Sequence, residues 1–264
     1  MQRIQLIVEY DGTGYAGWQR QQNAVSVQQR VEEALSRLTK APVSVTGASR
    51  TDAGVHALGQ SAHFDTDSRI PPDKYAYALN TILPDDIRVR CSRAVPEDFH
   101  ARFSAKGKEY LYQMHVSPHA PAICRNQRAH VIYPLDEALM CREAESLLGT
   151  HDFAAFAAAG SEAKTTVRSI WLAQVERRGE WIGLRVLGNG FLYNMVRIIA
   201  GTLIGVGAKK IAPGVFARAF ETGSRLDLGV TAPARGLTLM RVFYRDEAQA
   251  GADGSFISAC GEYR

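Results

Sequence analysis

One carboxylate stands out by its neighbours. Asp52 lies in the run Gly47-Ala48-Ser49-Arg50-Thr51-Asp52-Ala53-Gly54-Val55-His56, two residues after a guanidinium and among small side chains. A cation that close keeps a carboxylate ionised and available for nucleophilic or base chemistry. The plainer alternative is a turn aspartate that caps its own backbone. A glycine motif competes for attention. Gly12-Thr13-Gly14-Tyr15-Ala16-Gly17 is a G-x-G-x-x-G after a strand, with Glu32 and Glu33 downstream. A dinucleotide site needs its third glycine in the first turn of a helix, so that the pyrophosphate meets the helix dipole. Here residues 18–23 intervene and the helix cap is Ser26, so the NAD or FAD reading is set aside. What remains is a loop carrying Tyr15, Trp18, Gln19 and Arg20, side chains that suit bases and phosphates. His151-Asp152 suggests a metal phosphohydrolase, but the other six histidines are scattered singly, and no metal is expected. The sequence has no serine nucleophile elbow, Walker loop or glycosidase pair of acids.

These residues need elements to hold them. Ile4, Leu6, Val8 and Tyr10 share one face of a first strand. Ser26 and Gln29 read as a capping box for a helix that buries Val27, Val31, Ala34, Leu35 and Leu38. A short strand at 43–46 runs into the Asp52 loop, and a further strand follows at 60–64. Pro71-Pro72 open a second helix, which Pro84 stops, and Ile87, Val89 and Cys91 alternate on a fourth strand. This β-α-β-β-α-β order is the split βαβ pattern. A second unit starts near Gly107. It holds a strand through Tyr110, Tyr112 and Met114, a helix over 136–148 capped by Gly149, and a hairpin of 167–178 with 181–187. A long helix over 191–206, a short one over 215–220 and a last strand through Leu237 to Phe243 complete it. The expected class is α+β: two split-βαβ, ferredoxin-like units of antiparallel-rich sheet, each with helices over one face and the other faces free to flank a central groove. The expected divisions are 1–105, 106–246 and a mobile tail over 247–264.

The chain has 264 residues, 46% hydrophobic and 22% charged, which excludes global disorder and a fibrous protein. Its net charge of +4 permits an anionic partner. Four cysteines without C-x-x-C spacing read as reduced thiols. The first residues lack a signal-peptide core, and the apolar run Met195 to Ala208 is too short to span a bilayer. A soluble, cytoplasmic protein without a membrane role is expected.

The run from Ala48 to Ala57 resembles the active-site motif of the tRNA pseudouridine synthase A family. Tyr10 to Gln19 is similar to that family's N-terminal strand and loop. His100 to Ala105 with Lys108-Glu109-Tyr110 is similar to its central motif, Gly190 to Arg197 to its C-terminal helix, and Ala232 to Leu237 to its last turn and strand. The resemblance implies isomerisation of uridine to pseudouridine in the anticodon stem-loop of tRNA, at family positions 38, 39 and 40, by a homodimer. It implies no cofactor, since no atoms or electrons are gained or lost. By motif match Asp52 is the essential carboxylate, a nucleophile on the sugar with deprotonation of the sugar as the open alternative, Arg197 its counter-charge, Tyr110 the ring stacked on the uracil, and Arg50 a contact to phosphate or the flipped nucleotide. Arg197 alone would read as a snorkelling arginine, and Tyr110 as a core tyrosine. Arg20, Lys106, Lys108, Arg125, Arg128, Lys209 and Lys210 are candidate phosphate contacts. The competing class is a catalytically silent RNA-binding protein with RRM-like sheets, which would have no need of Asp52.

Overall fold

The computed structural model describes residues 1–158, 160 and 164–245; the expected tail lies outside the described residues. The chain forms two compact units. One comprises Met1–Lys106, and the chain returns to it at Leu239; the other comprises Gly107–Thr238. Both mix helices with mainly antiparallel sheet, so the class is α+β.

In the first unit β1 (Gln2–Tyr10) is followed by α1 (Val27–Thr39), β2 (Thr46–Gly47), β3 (His56–Thr66), α2 (Tyr75–Asn80) and β4 (Ile87–Val95). β1 pairs antiparallel with β3 on one side and β4 on the other, and β2 pairs with β3. Ile4, Leu6 and Val8 are fully buried, as are Val27, Val31 and Leu35 of α1. Only half of the capping box forms. Ser26 Oγ accepts from Gln29 N at 3.3 Å, while the Gln29 amide donates forward to Glu33 at 2.8 Å. The second face of β1 is buried too, through a polar layer. Gln5, 1% exposed, donates to Ser61 Oγ at 2.8 Å and accepts from Arg93 Nε at 2.7 Å.

The second unit has β5 (Gly107–Val116), β6 (Ala129–Val131), α3 (Glu137–Glu145), β7 (Gly149–Asp152), β8 (Val167–Arg178), β9 (Trp181–Gly188), α4 (Met195–Gly207) and α5 (Val215–Thr222). β8 and β9 form the expected hairpin, turned at Gly179 with φ +60. β9 also pairs antiparallel with β5, β7 with β8, and β6 runs parallel to β5. The final strand, β10 (Leu237–Phe243), lies beside β3. Two helix ends differ from expectation. α3 stops at Glu145 because the following amides bond three residues back, tightening the turn; Gly149, with φ +102, opens β7 rather than capping the helix. α4 starts at Met195, not Phe191, because Asn194 is left-handed at φ +61 and cannot lie inside a helix. The buried Glu143 of α3 caps α5 from a distance, accepting from Gly214 N at 2.7 Å and Phe216 N at 2.9 Å.

Candidate active site

In the first unit the site is built around the loop between β2 and β3. Gln60, wholly buried, brackets Ser49: its Oε1 accepts from Ser49 N at 3.2 Å and its Nε2 donates to Ser49 O at 2.6 Å. Ala48 N donates to Ser61 O at 2.8 Å. Thr51 Oγ1 meets the Tyr10 hydroxyl at 2.7 Å, and Thr51 O accepts from Trp18 N at 3.1 Å. Gly54, at φ +77, donates to Tyr15 O at 3.3 Å. The loop is therefore clamped on both sides of Asp52 by backbone bonds. Asp52 itself is half-buried and Arg50 is exposed, so one loop presents both sequence-predicted residues.

The glycine loop is what clamps it. A Cβ on Gly12 would collide with Val55 O, and one on Gly17 with Thr51 O, while Gly14 faces open space. Gly12 and Gly17 are thus glycines because another backbone occupies the space. Gly12 N also donates to His56 Nδ1 at 3.1 Å. The same Nδ1 lies 3.2 Å from Asp11 Oδ1, a spacing that would be an ion pair only with a proton on Nδ1.

Two of the four loop side chains lie inside the first unit. Trp18 is 1% exposed, with its indole against Gly47. Tyr15 is buried, its hydroxyl donating to Asp86 at 2.7 Å. Both build the loop from inside. Gln19 and Arg20 are exposed, and Arg20 pairs with Glu32 at 2.9 Å. Of the other candidate phosphate contacts, Lys106, Arg125, Lys209 and Lys210 are exposed, Lys108 and Arg128 half-buried. Lys210 lies 3.8 Å over the Tyr133 ring.

In the second unit Tyr110 sits on β5 opposite Val186, buried, with the Phe191 ring edge-on at 5.1 Å. Arg197 lies in the first turn of α4. Its Nε donates to Ala232 O at 2.9 Å and its Nη1 to Asn194 Oδ1 at 2.7 Å. A cation there opposes the helix dipole, which favours anions at this end, so its placement is not explained by helix stability. A Cβ on Gly201 would collide with Val230 O, and the Tyr112 hydroxyl donates to Pro233 O at 2.9 Å. The stretch 230–233 is held between α4 and β5 by these contacts. Sequence reasoning missed one feature beside Tyr110: Glu109 and Arg185, each 6% exposed, form an ion pair at 2.5 Å across β5 and β9. Its signal was Arg185 in an otherwise apolar strand. Among the described residues no cluster of His, Cys, Asp or Glu could hold a metal, and no helix is long and apolar enough to cross a membrane.

The family model described as tRNA pseudouridine synthase matches residues 6–104 and 144–245. The chain belongs to the tRNA pseudouridine synthase family. Asp52, Arg50 and Arg197 fall in the matched stretches; Tyr110 falls between them. The tRNA pseudouridine synthase A of Ruminiclostridium cellulolyticum is 52% identical over 249 residues, covering 92% of this chain and 100% of its own. That of Acetivibrio thermocellus is 50% identical over 244 residues, again 92% and 100%. That of Pseudoalteromonas atlantica is 45% identical over 242 residues, covering 92% of each. Among solved structures, a Cbf5-Nop10-Gar1 complex aligns with 89% of this chain and 57% of its own at 10% identity and a TM-score of 0.38, a likeness that carries no argument.

Proposed function

We propose that this chain isomerises uridine to pseudouridine in the anticodon stem-loop of tRNA, at family positions 38, 39 and 40, with Asp52 as the nucleophilic carboxylate. The family is one of isomerases named for making pseudouridine in tRNA, and the relatives cover nearly the whole chain. In the reaction the N1–C1′ bond breaks, the uracil turns, and a C5–C1′ bond forms. The C5 hydrogen leaves as a proton and N1 gains one, so the product is an isomer. Asp52 attacks the sugar, and a fixed cation keeps it ionised. Arg197 is assigned that part, Tyr110 the stacking surface on which the uracil turns, and Arg50 a contact to the flipped nucleotide or its phosphate. A stem uridine must leave its stack, which costs a few kcal/mol, and basic side chains on phosphate supply it. The active species is a cytoplasmic homodimer, and each unit is a split-βαβ derivative.

The observation that carries the proposal is the Asp52 loop. A carboxylate that only capped a turn would not need Gln60, Trp18 and Tyr15 engaged on the backbone beside it and Tyr10 on the Thr51 hydroxyl. The test is release of tritium from C5-labelled uridine in tRNA, without additives. Wild-type protein releases it and Asp52→Asn does not. Tight binding of tRNA with no release by the wild type would favour the silent RNA-binding protein.

A further inference from the structure

We propose that Phe103 is a stacking platform for an unpaired base of the RNA substrate, a base other than the uridine that reacts; this rests on the tRNA reading above. Phe103 is 77% exposed. Single exposed apolar residues are common, so exposure alone decides nothing. What sets this ring apart is that it is built into position. The His100 ring is stacked against it at 4.3 Å and 30°, and the Arg102 guanidinium lies 5.7 Å from its centroid. His100 Nδ1 accepts from both Arg102 N and Phe103 N at 3.2 Å, and His100 and Ser104 exchange two bonds of 2.9 Å. Beneath the turn Ala101 is fully buried, donating to His63 Nδ1 at 3.2 Å and accepting from the Tyr244 hydroxyl at 2.8 Å. The turn over 100–104 is therefore fixed to the first unit's sheet, with the His100 ring stacked on Phe103 and most of the Phe103 side chain still in solvent.

The chemistry favours a base over a protein surface. One phenyl ring offers about 200 Å² at most, short of the several hundred Å² of a contiguous protein-binding patch. Its exposed chain neighbours are charged: Glu97 and Asp98 lead into the turn, Arg102 lies in it and Lys106 follows. A base needs one ring plane, and His100–Phe103–base continues a stack already begun. Arg102 supplies a cation for the adjoining phosphate.

The test compares Phe103→Leu, Phe103→Trp and Arg102→Ala in the full chain, binding an unmodified tRNA transcript at several salt concentrations. Phe103→Leu weakens binding about tenfold, equivalent to about 1.4 kcal/mol, with an unchanged salt slope. Phe103→Trp stays within about threefold of wild type, because it keeps a ring face. Arg102→Ala lowers the salt slope by about one. Melting temperatures stay at the wild-type value, since the ring is in solvent. Equal loss in Leu and Trp variants, or loss in neither, refutes the platform. So does a Leu variant that changes the sedimentation state while tRNA affinity holds, which assigns the ring to a protein interface. A wild type that binds tRNA but forms no pseudouridine refutes the functional reading and leaves the Phe103 comparison to be decided by affinity alone.

Discussion

Gly17→Ala separates a clamped catalytic loop from a merely flexible one. Gly17 has φ +87, which an alanine adopts at a cost of about 1–3 kcal/mol. The new Cβ also meets Thr51 O head-on, and would stand 3.0 Å from the Asp52 carbonyl carbon, where an ordinary contact is 3.4 Å or more. Both are backbone atoms, so no side chain can swing away. Overpacking of this kind typically costs about 1–3 kcal/mol, which brings the total to about 2–6 kcal/mol. At about 2–4 °C per kcal/mol for a chain of this size, the melting temperature falls by roughly 4–24 °C and the protein stays folded at 25 °C. The loop gives way by about half an ångström to one ångström, and Asp52 moves with it. A misplacement near 1 Å costs about 100-fold in rate, so kcat drops by that order while tRNA affinity holds. Gly14→Ala is the control: nothing lies within 4 Å of its would-be Cβ and it has no positive φ, so activity and melting are unchanged. Single-turnover pseudouridine formation, filter binding and thermal melting read the three quantities. A Gly17→Ala protein within threefold of wild-type rate, or a Gly14→Ala protein as damaged as Gly17→Ala, refutes the reasoning.

Asp52→Asn keeps shape and loses charge; turnover disappears while tRNA binding stays within a few-fold, and a variant retaining a tenth of the rate, a loss of only about 1.4 kcal/mol in the barrier, shows that Asp52 is not essential. Tyr110→Phe retains more activity than Tyr110→Ala, because a ring face is worth about 1–3 kcal/mol in stacking; equal losses assign the role to the hydroxyl. Arg197→Met removes the bonds to Ala232 O and Asn194 Oδ1, so melting falls by a few degrees and activity by far more, and parallel losses would mark a structural arginine. Burial holds His63 down from 6.5 to about 4, and its Nδ1 accepts the Ala101 amide, so the fold favours the neutral ring. That stabilisation is complete above pH 6.5 and is lost as pH falls to about 4; Asp65, lowered by the Arg3 guanidinium, acts only below its usual 3.8. Denaturation midpoints measured from pH 7 to pH 4 should therefore slope less in His63→Gln than in wild type.

What the sequence made legible was whatever one segment decides by itself. The hairpin around Gly179-Glu180, the buried stripe of α1 and the short helix α5 follow from local periodicity and turn chemistry. The misread boundaries had distant or backbone causes. Trp18 looked like an exposed aromatic on a glycine loop, yet its burial depends on Gly47 leaving space for the indole, 29 positions further along. The start of α4 turns on one left-handed residue, Asn194, that periodicity does not reveal. Glu143 serves a helix more than 70 residues away, and no local pattern announces it. Asp52 was legible only through its family motif, because its spacing alone also suits a turn.

A glycine motif states that a Cβ is missing and not what fills its place. In a dinucleotide site a phosphate takes that space. Here Val55 O and Thr51 O take it, so the spacing that resembles a nucleotide fingerprint brings one loop's backbone onto another's. The second unit uses the same device. A Cβ on Gly201 would collide with Val230 O, one on Gly229 would stand 2.9 Å from Thr202 Cα, and one on Gly236 2.9 Å from Gln113 O. In each unit a chemically suggestive residue, Asp52 or Arg197, sits next to a segment held by backbone-on-backbone contact at glycine. Contacts of this kind have no rotamer to relax, which makes them stiffer than side-chain packing. Stiffness suits a carboxylate or guanidinium that must be in place before its substrate arrives. The glycines near the site are therefore read by the atom that each one admits. On that reading Gly12 and Gly17 seat the Asp52 loop, and Gly14 leaves room for a side chain.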